Sequence, residues 1–216
     1  MSTNENLISK DFVYTTDNNG KLIFVGDFEG LYSHESDPWG QMGNDDRLMA
    51  YYAYSRKKLA ESIQRLWADS EKQYKVLEIG CGFGCVSHYL KDYLSPRAAV
   101  TGMDISFTAI NKARSLFPSI EFIHGNICAG DLVATEKYET VIMCQILWYV
   151  LEALPNTMEN IGRLLQPSGY LVFANAFLKE QNLDHQLRHS LNDTLTKQIE
   201  RISMNRFLYY SLERGC

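Results

Sequence analysis

What the 216-residue sequence has little of narrows it first. It has no excess of positive charge: 21 Lys and Arg stand against 26 Asp and Glu, a net charge of −5. Nothing in that balance calls for a nucleic-acid partner, and the nearest basic cluster, Arg56-Lys57-Lys58, reads as helix-surface charge. Long hydrophobic runs are missing as well. The longest, Val141 to Leu151, is interrupted by Gln145 and falls far short of the about 20 residues that cross a bilayer. The polar stretch from Met1 to Lys10 lacks the apolar centre of a signal peptide, so a cytoplasmic protein is expected, with no membrane partner. The five cysteines, Cys81, Cys85, Cys128, Cys144 and Cys216, are odd in number and form no Cys-x-x-Cys pair. Reduced thiols fit that pattern, and no metal site is indicated. With only 5 prolines, no repeats and no low-complexity linker, residues 1–216 are expected to form a single domain.

The informative stretch is Val76-Leu77-Glu78-Ile79-Gly80-Cys81-Gly82-Phe83-Gly84. The apolar run from Tyr74 to Ile79 is rich in β-forming residues and stops at the glycines. Beyond them Val86, Tyr89, Leu90 and Tyr93 recur at helical spacing, which predicts strand, tight turn, helix. Glycines suit such a turn because its backbone takes positive φ and approaches a ligand closely. The N–H groups that open the helix favour an electron-rich group. A phosphate-binding P-loop would end in Gly-Lys-Ser/Thr, and a dinucleotide fingerprint would place Gly or Ala three residues after Gly82; Cys85 breaks both patterns. What remains, Glu78-x-Gly80-x-Gly82-x-Gly84, resembles motif I of the class I S-adenosylmethionine (SAM) methyltransferases. In that family the glycines let the methionine part of the cofactor lie against the backbone, and the acid lies near its amino group. A glycine-rich turn without a ligand is the plainer alternative.

The remaining chain alternates strand and helix. Strands are expected at Ala98–Asp104, at Ile120–Asn126, from Tyr138 to Cys144 and over Tyr170–Phe177. A helix capped by Ser106 carries Ile110, Ala113 and Phe117, and another opens at Pro155-Asn156 and closes at Gln166-Pro167-Ser168-Gly169. After Asn182 a polar helix over about 183–195, a weak extended stretch near 199–202 and an alternating strand from Arg206 to Leu212 follow. The expected fold is therefore α/β: a Rossmann-like, doubly wound, mostly parallel seven-stranded sheet with an N-terminal hairpin and helix cap. Residues 11–26 read as the hairpin, around the turn Asp17-Asn18-Asn19-Gly20, and Phe28 to Asn44 as a loop. Residues 1–44 would then form a hairpin and lid segment, and 45–216 the SAM-binding core.

Several residues outside the glycine turn carry chemistry. Asp104 ends the second core strand 20 residues beyond Gly84, where an acid accepts hydrogen bonds from ribose hydroxyls; a strand-end cap is the plainer reading. Trp39 sits in the turn Asp37-Pro38-Trp39-Gly40, either pinning the loop to the core or serving a substrate lid. A helix from about Asp46 to Trp67 places Arg56 in the middle of its apolar stripe. Either the arginine stem packs while its head reaches water, or its paired donors grip the carboxylate of the bound cofactor. Trp148 and Tyr149 follow the fourth core strand and belong either to the core or to the pocket. Asp37-Pro38-Trp39, Tyr54-Ser55-Arg56-Lys57 and Gln145-Ile146-Leu147-Trp148-Tyr149-Val150 together resemble the nodulation N-methyltransferase (NodS-like) branch, which methylates an amino sugar at the end of a chitin oligosaccharide. That branch tends to have Glu where Gln145 stands, and the hairpin before residue 28 has no counterpart in it. The resemblance implies a cofactor site of Trp39, Arg56, Glu78, Gly80, Cys81, Gly82, Asp104, Ile105, Asn126, Ile127, Cys144 and Gln145, with Asn126 facing the adenine and the following backbone N–H bonding its ring. It implies a SAM-dependent methyltransferase acting on an amine or hydroxyl of a small molecule, a saccharide among the candidates, as monomer or homodimer, with S-adenosylhomocysteine as product. His34 and Tyr149 are the side chains that could act on a proton. A SAM- or nucleoside-binding module without transferase activity and a dehydrogenase-like nucleotide binder are the alternatives, the latter disfavoured by the glycine spacing.

Overall fold

The computed structural model describes residues 11–20, 22–43, 45–67, 71–132, 136–177 and 207–213. Its centre is a six-stranded sheet built from the apolar runs: β3 (Tyr74–Ile79), β4 (Ala98–Asp104), β5 (Glu121–His124), β6 (Tyr138–Cys144), β7 (Leu165–Phe177) and β8 (Phe207–Glu213). The order is β5-β4-β3-β6-β7-β8, and every neighbouring pair is parallel. The chain leaves β3 toward β4 and β5 on one side and resumes at β6 on the other. The β3/β6 boundary is thus the point where the winding reverses, and it opens a crevice at the carboxyl ends of the strands.

Both faces of the sheet are covered, which explains why the strand sequences are apolar almost throughout. On one face Leu77, Ile79, Val141, Met143 and Phe173 pack against Met158, Ile161 and Leu164 of a helix spanning Leu154–Leu164. On the other, Val76, Ile142 and Val172 meet Leu59 and Ile63 of α2 (Asp46–Leu66) and Leu90 of α3 (Cys85–Leu94). Trp67 closes α2, its ring stacked 4.4 Å from that of Tyr74 and its Nε1 donating to Thr140 Oγ1 at 3.1 Å. A further helix, α4 (Phe107–Leu116), begins at Ser106, whose hydroxyl accepts from the Ala109 N–H as the sequence leads one to expect.

The N-terminal part departs from expectation in two places. The hairpin is shorter than 11–26: β1 (Tyr14–Thr16) pairs with β2 (Leu22–Phe24), and residues 11–13 are helical. Its turn forms as anticipated, Gly20 donating to the Asp17 carbonyl at 2.9 Å. The stretch expected as a loop from Phe28 opens instead with helix α1 (Phe28–His34). Asp27 starts it by accepting from the Gly30 N–H, and Leu31 and Tyr32 bury one face; Gly30 and the polar neighbours had hidden that amphipathic turn. In the core, β7 begins at Leu165 and not Tyr170, because Leu165 pairs with Tyr138 ahead of a register shift in β6. β5 spans four residues and not the whole of 120–126. Six of the seven expected strands are described; the seventh, near 199–202, and the helix over 183–195 lie outside the described residues.

The cap is held down by one acid and a group of rings. Glu29 of α1 accepts from the Ser106 hydroxyl at 2.7 Å, from the Thr108 N–H at 3.2 Å and from the Thr108 hydroxyl at 2.5 Å, so α1 supplies a second cap to α4. Tyr149, just after β6, touches the rings of Tyr14, Phe24, Phe28 and Trp39 at centroid distances of 5.2–6.3 Å. Losing a capping carboxylate costs about 1 kcal/mol, or about 2–4 °C in a domain of this size. Glu29→Ala should therefore lower the melting temperature by that amount and speed limited proteolysis between residues 14 and 43. Unchanged proteolysis would show that the rings alone hold the cap.

Candidate active site

Three constraints shape the turn after β3. Gly80 and Gly82 take φ of 72° and 52°, a conformation L side chains rarely adopt. A Cβ on Gly82 would also lie 2.5 Å from the Tyr32 hydroxyl oxygen. The Asp104 carboxylate then locks the turn from the neighbouring strand: one oxygen accepts from the Gly82 N–H at 2.7 Å, the other from the Ser106 N–H at 2.9 Å. Burial raises the Asp104 pKa above the usual carboxylate value, opposed by those backbone donors.

Above this turn, at the strand ends, lies a cavity of about 540 Å³, within the size range of small-molecule sites. Of the residues expected in a cofactor site, Trp39, Gly80, Gly82, Asp104, Ile105, Asn126, Ile127, Cys144 and Gln145 line it, and so do Trp148 and Tyr149. The others stand behind the lining. Glu78 is buried under α3, where the Ser87 hydroxyl donates to it at 2.5 Å. Cys81 packs with Ile110, Ala113 and Phe122. Arg56 donates to Gln41 Oε1 at 3.2 Å and lies 5.2 Å over the Tyr52 ring; Gln41 and Tyr52 are wall residues, so Arg56 backs the wall and does not form it. Its buried Nε has no hydrogen-bond partner. His34 is not brought to the site: it is exposed, with Nδ1 3.2 Å from the Gly30 carbonyl and its ring against Phe12.

Sequence reasoning missed four aromatic lining residues: Phe28 and Tyr32 on α1, and Tyr51 and Tyr52 on α2. The first two fell in the segment read as a loop. Tyr52 also anchors the turn that carries Trp39, its hydroxyl donating to the Trp39 carbonyl at 2.6 Å. Gln145 carries a conformational surprise as well. It has φ of 62°, the one non-glycine residue with positive φ among the described residues, and its Nε2 donates to the Tyr51 hydroxyl at 3.0 Å. Nothing in the composition around it signals that backbone.

Burial dominates the electrostatics. It pushes Glu78 up to about 8, opposed by the Ser87 hydrogen bond and the Arg56 charge. Burial likewise lifts the Cys144 thiol and the Tyr149 phenol to about 12. Among the described residues there is no cluster able to hold a metal ion, and no helix is long and apolar enough to cross a membrane.

A parallel sheet reversing at β3/β6, with a glycine turn tied to an acid on the next strand, is the architecture of a nucleoside-cofactor enzyme. Residues 70–215 match the model of a methyltransferase domain, and the chain belongs to that family. It is 33% identical over 132 residues to trans-aconitate 2-methyltransferase of Rhodopseudomonas palustris, a match covering 60% of this chain and 46% of that protein. The chain spans less than half the length of the first curated relatives it matches. Among solved structures it resembles a TehB-like SAM-dependent methyltransferase of Corynebacterium glutamicum (TM-score 0.55, 20% identity, 81% and 82% of the two chains covered). It also resembles the N-methyltransferase NodS of Bradyrhizobium japonicum, solved with S-adenosylhomocysteine (TM-score 0.50, 20% identity, 67% and 71% covered). The fold is thus that of these SAM-dependent methyltransferases.

The buried Glu78 makes stability depend on pH. Its folded pKa of about 8 lies above the ordinary carboxylate value, so the native state holds a proton that the unfolded chain has released. That contribution is fully present below about pH 4.5 and is lost as pH rises through 8. Without cofactor, the melting temperature of the wild type should therefore fall relative to Glu78→Gln between pH 5 and 8. Parallel curves would show that Glu78 is ionised throughout.

Proposed function

We propose that the cavity binds SAM along the strand ends and that the protein transfers its methyl group to an amine or hydroxyl of a small molecule. The observation carrying this reading is the bond from the Gly82 N–H to Asp104 at the β3/β4 boundary, which joins the glycine turn to a ribose-binding acid within one cavity. The positive-φ turn at Gly80 and Gly82 brings backbone to the cavity, where the methionine part of the cofactor lies. Arg56 lends its charge toward the cofactor carboxylate from behind Gln41, and Glu78 and Cys81 support the turn from below. Asp104 accepts from the ribose hydroxyls beside Ile105. Asn126 and the Ile127 N–H take the adenine edge. Trp39, Cys144 and Gln145 border the reacting end.

SAM supplies an electrophilic methyl on a sulfonium. What the chain contributes is alignment of the acceptor in line with that methyl and exclusion of water by the cap. An amine that arrives neutral needs no base, since its proton leaves to water after transfer. A hydroxyl needs one. Tyr149 is the candidate at the site, and with its phenol held near 12 it donates a hydrogen bond at neutral pH and does not take a proton. The amino sugar implied by the resemblance is a polar acceptor of the amine kind.

Calorimetric titration should show SAM binding and no NAD binding; tight NAD binding with silent SAM would overturn the reading. Asp104→Ala should weaken SAM by roughly 10- to 100-fold, the loss of one or two charge-assisted hydrogen bonds. Because Asp104 also holds two backbone N–H groups, Asp104→Asn, which keeps one acceptor and sets an amide against the other N–H, is read beside Asp104→Ala with a ligand-free melt of each. Unchanged affinity in both folded variants would leave Asp104 a purely structural residue.

A further inference from the structure

The acceptor end of the cavity has a chemistry of its own. Phe28, Trp39, Tyr51, Tyr52, Trp148 and Tyr149 supply rings to the lining, all from the cap, α2 and the segment after β6. The polar tips of three aromatic residues are already engaged within the protein. Tyr52 donates to the Trp39 carbonyl, the Trp39 Nε1 donates to the Tyr32 hydroxyl at 2.9 Å, and the Tyr51 hydroxyl accepts from Gln145. The wall therefore presents mainly ring carbon. Tyr149 is fixed by rings on several sides, a rigid surface that is ready before a ligand arrives.

Resting on the methyltransferase reading above, we propose that this end selects a flat, uncharged nitrogen compound, an aryl amine or a nitrogen heteroaromatic, stacked against Tyr149 and Trp148. Rings of this kind bind flat faces through offset or edge contacts worth about tenfold in affinity each. A pyranose carries a hydroxyl on nearly every ring carbon, and a wall made largely of ring carbon offers it few partners. A dicarboxylate would need a cation, and the described lining holds no Lys, Arg or His. Nitrogen fits better than hydroxyl because Tyr149 and Cys144 both keep their protons at neutral pH. In the reaction the nitrogen lone pair forms the new N–CH₃ bond while the S–CH₃ electron pair returns to sulfur. An amine then releases its proton to water; a ring nitrogen keeps the positive charge, which the surrounding ring faces stabilise.

The test uses the full chain saturated with S-adenosylhomocysteine, titrated calorimetrically with quinoline, 1-aminonaphthalene, glucosamine and trans-aconitate. The same four compounds are then incubated with SAM and the products read by mass spectrometry. Quinoline and 1-aminonaphthalene should bind saturably and gain one methyl on nitrogen, while glucosamine and trans-aconitate should do neither. Tyr149→Ala should weaken 1-aminonaphthalene about tenfold more than it weakens SAM. Methylation of glucosamine or trans-aconitate in preference to the aryl compounds would overturn the inference, as would a protein that binds SAM but neither aryl compound. Absence of SAM binding would instead remove the methyltransferase reading itself. Should Tyr149→Ala fail to fold, the wild-type panel still decides.

Discussion

The Asp104 carboxylate organises the site. Placed at the end of β4, it accepts from the Gly82 N–H on one side and from the Ser106 N–H on the other. One side chain thus sets the path of the glycine turn and the start of α4 together. A buried carboxylate is costly unless its oxygens are satisfied, and backbone donors satisfy these without spending its remaining lone pairs. The glycines are a condition of that arrangement, because a side chain at Gly82 would strike Tyr32.

The same region anchors the cap. Ser106 receives Asp104 at its N–H and gives its hydroxyl proton to Glu29, so the turn, α4 and α1 share one short hydrogen-bonded chain. The rings around Tyr149 supply the second attachment. With one polar and one apolar fastening, the cap supplies part of the cavity wall and does not merely sit beside it.

The core was legible because its signals are local. A run such as Tyr74–Ile79 ending in glycines, or Ser106 before a periodic helix, states its structure within about ten residues, and those boundaries agree with the fold to within a residue. The cap was less legible because its determinants are distant. Helix α1 depends on Leu31 and Tyr32 being buried and on Glu29 meeting Ser106, 77 positions away. Much of the cavity floor could be anticipated, since strand ends and a glycine turn fix its outline. The aromatic wall could not, because Tyr51 reaches Gln145 across 94 residues. Arg56 and Glu78 were rightly singled out as unusual, but their side chains back the cavity and do not line it.

Gln145 has a consequence for how the chain could be improved or spoiled. An L residue in the left-handed region costs about 1–2 kcal/mol that glycine would not incur. A stability reserve of that size therefore lies at the rim of the cavity, beside Tyr51, where the side chain contributes a wall contact. Selection for thermal robustness alone would drift toward glycine here and would loosen the site as it hardened the fold.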